Sequence, residues 1–324
     1  MVQSLIQYFP YAIRSQGSRN AHDQDSIQRG MLLKIVNGYA CLHPHPELGE
    51  PSLDALIEDI KSNKPKFNLS LKVLACAAID GNARSLKKSL FEDSEIPKSH
   101  FLLNLAELNQ NTLEKKIYSL KSLAFNKIKI KLSSKLDENY LILDKLSQYA
   151  KDFKWRLDFN ESLNKRSFQE FIQNLSADQM DHIDFIEDPF PYHPNEWALM
   201  ESHYPIKLAK DFNSSLDPKG YSFIIHKSAR DNPAITLELA KNYGKKVVVT
   251  HNMDHPLGVL YAAYEASKLS KEISLEDCGL LWPEFFTVPE GCPPIHNNGP
   301  SLQKTQGHGL GLDDYLKNLN WKNL

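Results

Sequence analysis

The chain of 324 residues has only four cysteines, Cys41, Cys76, Cys278 and Cys292, and no two form a CxxC pair. That pattern argues against a zinc site and for a reduced, cytoplasmic protein. An excess of either charge is missing too: 38 basic residues face 40 acidic ones, a net charge of −2. There is no electrostatic case for nucleic acid or a membrane surface as partner. No run of about 18 apolar residues occurs. The first ten residues, Met1 to Pro10, lack the basic and apolar regions of a signal peptide. No GxGxxG or P-loop follows any predicted strand, which argues against an open nucleotide-binding sheet. What remains is an ordinary globular composition, 41% hydrophobic, at a length that suits one large α/β barrel with a smaller domain.

Residues 1–98 read as mixed α+β. Gly30–Val36 and Tyr39–Leu42 flank Asn37-Gly38, a hairpin turn signal. A helix is expected over Ser52–Lys61, where Leu53, Leu56, Ile57 and Ile60 recur at helical spacing, and a second over Leu69–Leu90, weakened by Gly81. From residue 99 strand and helix alternate. Strands are expected at Phe101–Asn104, Lys127–Leu132, up to Asp158, up to Glu187, up to Asp211, at Ser222–His226 and at Lys246–Thr250. Helices are expected from a capping-box-like start at Asn111-Thr-Leu-Glu114, through Ile142–Ala150, through Phe168–Ile172, at Pro233–Tyr243 and at Pro256–Leu269. Seven or eight such units favour a closed parallel barrel. The expected division is a capping domain over 1–98, the barrel over 99–285, and a Pro- and Gly-rich segment over 286–324 that returns to the cap.

Three acidic residues each close a short apolar run: Asp158 in Trp155–Asn160, Glu187 in Ile183–Pro189, and Asp211 in Ile206–Asp211. Singly, each reads as a helix N-cap or a surface ion pair. The gaps, 29 residues (158 to 187) and 24 residues (187 to 211), each match about one strand, one helix and two loops. Strand ends at that spacing in a barrel aim side chains into one pocket, and hard oxygen ligands suit Mg²⁺. Lys127, Lys129 and Lys131 alternate, so their side chains share one face. Both faces of a parallel strand are covered, so these lysines need carboxylate partners, which the acidic triple provides. Lys227 sits at another strand end. Lysines on two barrel strands around a carboxylate-bound divalent ion point to removal of the proton next to a substrate carboxylate. Burial and neighbouring positive charge would lower the pKa of Lys131 for that task. His43 and His45 lie among prolines and read as a stiffened loop rather than a metal site.

These motifs together resemble the enolase superfamily, and within it the muconate-lactonizing-type branch. Lys129-Ile-Lys131 is similar to its KxK strand, Arg156-Leu-Asp158-Phe-Asn160 to its RxDxN strand and Glu187-Asp-Pro189 to its ExP strand. Asp211 stands at the third metal ligand and Lys227 at the second lysine. Val249–Gly258 resembles the segment after the seventh strand, and Gly307–Asp313 the glycine-rich return of the C-terminus. The sequence departs from the pattern at Ser133, at Phe212-Asn213 after the third ligand, at Ser228, and at Tyr39–Pro46 in the cap. The resemblance implies an α/β protein, a (β/α)7β TIM-like barrel with an α+β cap. It implies Mg²⁺ held by Asp158, Glu187 and Asp211, and catalysis by Lys131 and Lys227. Substrate contacts are expected from Lys129, Asn160, Thr250 and Asn252, and from Arg19 and His22 on a cap loop. The spacings are most similar to the o-succinylbenzoate synthase family, lyases that dehydrate a cyclohexadiene carboxylate in menaquinone synthesis. The implied partner is a small-molecule carboxylate. Dipeptide epimerisation or N-acyl amino acid racemisation on the same site, and an inactive binding barrel, are the alternatives.

Overall fold

A computed structural model describes residues 6–15, 27–62, 64–104, 110–211 and 217–324. The chain opens with β1 (Ile6–Arg14), β2 (Ile27–Ile35) and β3 (Gly38–Leu42), followed by helices α1 (Leu53–Lys61) and α2 (Asn68–Ser85). The three strands pair antiparallel in sequence order. The hairpin closes one residue earlier than expected. Ile35 pairs with Gly38, so the two-residue turn is Val36-Asn37, with Val36 at φ 55°. Gly38 is needed for another reason: a Cβ there would lie 1.8 Å from Ala77 O of α2. One at Gly81 would come 3.0 Å from Gly38 N, so the sheet and α2 meet through two bare glycines. The second helix ends at Ser85, short of Leu90, because Lys87 takes a left-handed φ of 54°.

The remaining elements in chain order are β4 (Phe101–Leu103), α3 (Gln110–Ser122), β5 (Lys127–Lys131), α4 (Leu136–Tyr149), β6 (Lys154–Asp158), α5 (Lys165–Gln173), α6 (Ala177–His182) and β7 (Ile183–Glu187). Then come α7 (Pro194–His203), β8 (Leu208–Lys210), β9 (Phe223–Lys227), α8 (Pro233–Tyr243), β10 (Lys246–Thr250) and α9 (Pro256–Leu269). The chain ends with β11 (Asn297–Asn298), β12 (Ser301–Leu302), α10 (Asp313–Asn318) and β13 (Lys322–Asn323). Strands β4 to β10 form one parallel sheet in sequence order. An irregular segment fills the eighth position: Leu275 and Gly279 bridge β10, and Cys278 bridges Ser99 at the foot of β4. The ring thereby closes as a barrel, as the alternation of strand and helix predicts.

Local chemistry explains the helices. In α5, Phe168, Phe171 and Ile172 are buried on one face, and Asn164 and Ser167 cap its start reciprocally. Helix α3 already includes Gln110, so Asn111 lies inside it rather than at its cap. Helix α7 takes the place that the spacing of Glu187 and Asp211 left for one helix without bounds, whereas α6, just before β7, was not expected. Helix α6 is too short to carry a periodicity signal, and α7 buries only Trp197 and Met200. The barrel strands are buried along most of their length, and Trp155, Leu157, Ile186 and Val248 are wholly so. Burying a large apolar side chain contributes about 2–3 kcal/mol, which makes a rigid frame for polar strand ends.

The last residues meet the first. Strand β13 pairs antiparallel with β1, matching Gln7 with Asn323 and Tyr8 with Lys322. Asp80 of α2 is wholly buried and accepts hydrogen bonds from Leu310 N at 2.7 Å, Tyr39 N at 2.9 Å and Arg84 Nε at 2.6 Å. Among the described residues no helix is long and apolar enough to cross a membrane.

Candidate active site

The barrel order decides which side chains meet. Among eight ring positions, β5 and β9 stand four apart, so Lys131 and Lys227 rise from opposite walls. Strands β6, β7 and β8 lie between them and bring up Asp158, Glu187 and, one residue past β8, Asp211. All three carboxylates are 1% exposed. Lys129 bridges the first two, with Nζ 2.9 Å from Asp158 Oδ2 and 2.7 Å from Glu187 Oε2. Lys131 Nζ lies 3.5 Å from Asp158 Oδ2 and 3.3 Å from Asn160 Oδ1. Lys227 Nζ lies 2.7 Å from Asp211 Oδ2. Lys127 shares their face but pairs lower in the barrel, with Glu276 at 2.7 Å and Asp184 at 3.4 Å.

The three lysines differ in charge tendency. Burial and the charges of Lys129 and Lys227 lower the pKa of Lys131 against the pull of Asp158. Burial also disfavours the charge on Lys129, but Asp158 and Glu187 outweigh it and raise the pKa. Lys227 is raised in the same way by Asp211. Among the acids, burial pushes Glu187 up to about 7, helped by Asp158 and Asp211. Asp158 goes the other way, to about 2, because Lys129 and Lys131 outweigh its burial. Asp211 is held below the ordinary carboxylate range by Lys227 and Arg230, again against burial. Glu187 is thus the one of the three carboxyls that most readily keeps a proton.

Two residues at this site were not singled out in the sequence. Arg230 clamps Asp211, its Nη2 lying 2.9 Å from both Oδ1 and the backbone O, and Asp231 holds its Nε at 2.8 Å. Asp188, wholly buried, accepts from Asp211 N at 3.2 Å. Burial and the charges of Asp211 and Glu187 push its carboxyl well up, against Lys210. The available signal was the charge cluster Lys227-Ser-Ala-Arg-Asp231 and the second acid of Glu187-Asp188. The backbone is strained where these strands end. Asn160, Glu161, Asp188 and Met253 all take positive φ, between 39° and 58°, at a cost of roughly 1–3 kcal/mol each.

Lys129, Lys131, Asp158, Glu187, Lys227 and Thr250 line one cavity of about 70 Å³, closed by Phe101, Met253 and Trp282. Thr250 is 8% exposed, and its Oγ1 is buried without a hydrogen-bond partner. Asn252 is not among the lining residues. Its Nδ2 donates to His43 O at 3.0 Å, and its own O accepts from His45 Nε2. His43 also bonds Tyr11 and Gln28, and His45 bonds Glu47, so both imidazoles belong to a buried network. A wider cleft of about 920 Å³ is lined by Asn160 and Arg230, which bond Lys131 and Asp211, and by Glu47–Pro51, Lys66–Leu69 and Tyr192. Arg19 and His22 lie outside the described residues.

The donor set suits a hard divalent ion in type and in burial: three buried carboxylates. Lys129 is the cation that stands between two of them. Among the described residues no three His, Cys, Asp or Glu stand close enough to hold one ion as they are. An ion held by all three would have to displace the Lys129 ammonium from Asp158 and Glu187.

A barrel of this order under an antiparallel cap is the fold of the muconate lactonizing enzymes of the enolase superfamily. The enzyme from Pseudomonas putida superposes with a TM-score of 0.77 at 15% identity, covering 98% of each chain. A dipeptide epimerase from Enterococcus faecalis superposes with a TM-score of 0.74 at 16% identity, covering 96% of this chain and 99% of that one. Within that fold the sequence is more specific. Residues 6–83 match the family described as the N-terminal domain of O-succinylbenzoate synthase. An o-succinylbenzoate synthase from Bdellovibrio bacteriovorus is 28% identical over 333 residues, covering 98% of both chains. The resemblance drawn from the motifs is borne out by the synthase-domain match and the synthase relative.

Proposed function

We propose that the chain is an o-succinylbenzoate synthase-like lyase acting on a succinyl-hydroxycyclohexadiene carboxylate in menaquinone biosynthesis, in the cytoplasm. The observation that carries this reading is the pair of lysines on opposite walls, one with a lowered and one with a raised pKa, around three buried carboxylates. Asp158, Glu187 and Asp211 would hold Mg²⁺, which supplies positive charge next to the substrate carboxylate. Lys129 helps hold that carboxylate. Lys131, the lysine able to be neutral, takes the α-proton onto Nζ. The electrons of the C–H bond pass into the substrate carboxylate as an enediolate, then return to form the new ring double bond as the bond to the hydroxyl oxygen breaks. The departing hydroxide takes the same proton back from Lys131 and leaves as water. Lys227 remains an ammonium across the ring and stabilises the enediolate charge, partly through its attraction to the π face. Thr250 offers a hydroxyl from the cavity wall, and Asn160 orients Lys131. The succinyl arm extends into the cleft towards the cap.

A second reading is epimerisation of a dipeptide or N-acyl amino acid, with the two opposed lysines as alternating bases, which the epimerase of like fold favours. Its weakness is the asymmetry of the two lysines. The deciding assay is purified protein with Mg²⁺ in D₂O, offered both the diene carboxylate and an epimerisable dipeptide. Dehydration of the first is expected. Rapid α-deuteration of the second without dehydration would replace the synthase reading by the epimerase one. Inertness towards both, with no stabilisation by Mg²⁺, would leave the inactive barrel.

A further inference from the structure

His226 precedes Lys227 on β9 and, by strand alternation, faces away from the cavity, where it is wholly buried. Its Nδ1 lies 2.7 Å from Thr236 Oγ1 of α8, and its Nε2 lies 2.9 Å from Glu265 Oε2 of α9. A carboxylate only accepts, so Nε2 carries a proton and donates it to Glu265. Hydroxyl, imidazole and carboxylate stand in the order of a hydrolytic triad. Thr236 at 3% and His226 at 0% exposure are closed to any substrate, so the arrangement is not a second active site. The other oxygen of Glu265 has a different partner: Oε1 lies 2.6 Å from Lys72 Nζ, on α2 of the cap. The ion pair is nearly dry, its side chains 12% and 9% exposed, so its loss would leave a buried charge unmatched. A continuous path of hydrogen bonds therefore runs from the cap, through a barrel helix, to the strand residue next to the candidate catalytic lysine.

We propose that Lys72, Glu265 and His226 are positioning residues, through which docking of the cap fixes the end of β9 and hence the placement of Lys227. The inference rests on the functional reading above. It is chemically economical, because a loosely seated cap would leave both the cleft unwalled and Lys227 misplaced.

The test uses the full-length protein with Mg²⁺ and the diene carboxylate. K72M removes the charge and keeps the length of the side chain. It is expected to lower kcat about tenfold with KM within about twofold, the signature of a misplaced catalytic group rather than a lost binding contact. K72R is expected to restore kcat. K271M is the control: it breaks an exposed bond from Lys271 Nζ to Asp93 O, at 3.2 Å, that does not lead to β9, and should leave kcat unchanged. Hydrogen exchange of the Phe223–Lys227 amides should quicken in K72M alone. Should K72M not fold, E265Q, which keeps the shape of the side chain, carries the same expectations. A K72M enzyme with native kcat and native β9 exchange overturns the proposal. So does failure of K72R to restore kcat, or an equal loss in K271M. If the wild type does not turn over the diene carboxylate, the functional reading falls, and β9 exchange alone decides the relay.

Discussion

Glu187 offers a test of the site that needs no substrate. Its carboxyl, ordinarily near 4.5, is raised to about 7 by burial and by Asp158, against the pull of Lys129. A carboxyl with a raised folded pKa favours the native state while both states are protonated, and loses that advantage as pH rises through the folded value. The loss therefore falls between pH 4.5 and about 7. At about 1.4 kcal/mol per tenfold change in proton affinity, it amounts to about 3 kcal/mol in the metal-free protein. The perturbation is Glu187→Gln, which keeps the shape and removes the ionisation. Urea unfolding in the presence of EDTA, at pH 5 and pH 7.5, measures it. Other carboxyls contribute to the wild-type slope, so the difference between the two proteins is the quantity of interest. The wild type should lose about 3 kcal/mol more than the variant over that window. Excess Mg²⁺ should remove the difference, because a cation at this carboxylate lowers its pKa. Parallel pH slopes for wild type and variant would show that Glu187 is ionised throughout.

Lys131→Ala should cut turnover by about 10²–10⁴-fold, the usual share of a general acid–base group, while Mg²⁺ stabilises the variant as it does the wild type; loss of that stabilisation would make Lys131 structural. In the wild type kcat should rise with pH up to the Lys131 pKa, which lies below 10.5, since only the neutral amine accepts a proton; a profile flat from pH 6 to 9 would remove Lys131 as the base. Asp211→Asn should abolish the thermal stabilisation by Mg²⁺, about 2.7 kcal/mol for the wild type at a hundredfold excess over Kd, and an unchanged shift in a melting scan would remove Asp211 from the ligand set. Asp80→Ala removes one of the two carboxylates that pair with Arg84, which keeps Asp313 and Gly311 O, and leaves the amides of Leu310 and Tyr39 without their acceptor, so it should cost about 2–3 kcal/mol in urea unfolding; a loss below about 1 kcal/mol would show that other contacts hold the C-terminal segment to α2.

The barrel and its acidic triple were legible because they depend on local periodicity. A carboxylate at the end of an apolar run is visible in the string of residues, and strand order follows from short connections. The lysine partnerships were legible in part. Alternation puts Lys127, Lys129 and Lys131 on one face, yet only the stagger of the barrel sends Lys127 down to Glu276. Arg230 was not legible, because its role depends on a loop that folds back towards the preceding strand end. Asn252 shows the opposite difficulty. Its place after the seventh strand suggests a substrate contact, while packing commits its amide to His43. Strand β1 escaped notice since Pro10 interrupts it and its pattern of exposure follows no simple alternation. The shift of the hairpin by one residue came from a tertiary demand, the approach of α2 to Gly38.

The pairing of β13 with β1 and the bond from Leu310 to Asp80 have a consequence for synthesis. Strands β1 to β3 leave the ribosome early, but the strand that covers the β1 edge and the backbone that satisfies Asp80 are made much later. At about 5–20 residues per second, the 280 residues from Leu42 to Lys322 (322 − 42) take some tens of seconds. For that interval the nascent chain carries an open sheet edge, a template for wrong pairing. The barrel between them has every strand in hand before the tail appears. Growth of this chain therefore finishes the barrel before its cover, and a ribosome that stalls between Gly279 and Lys322 leaves a complete barrel beneath an unsealed sheet.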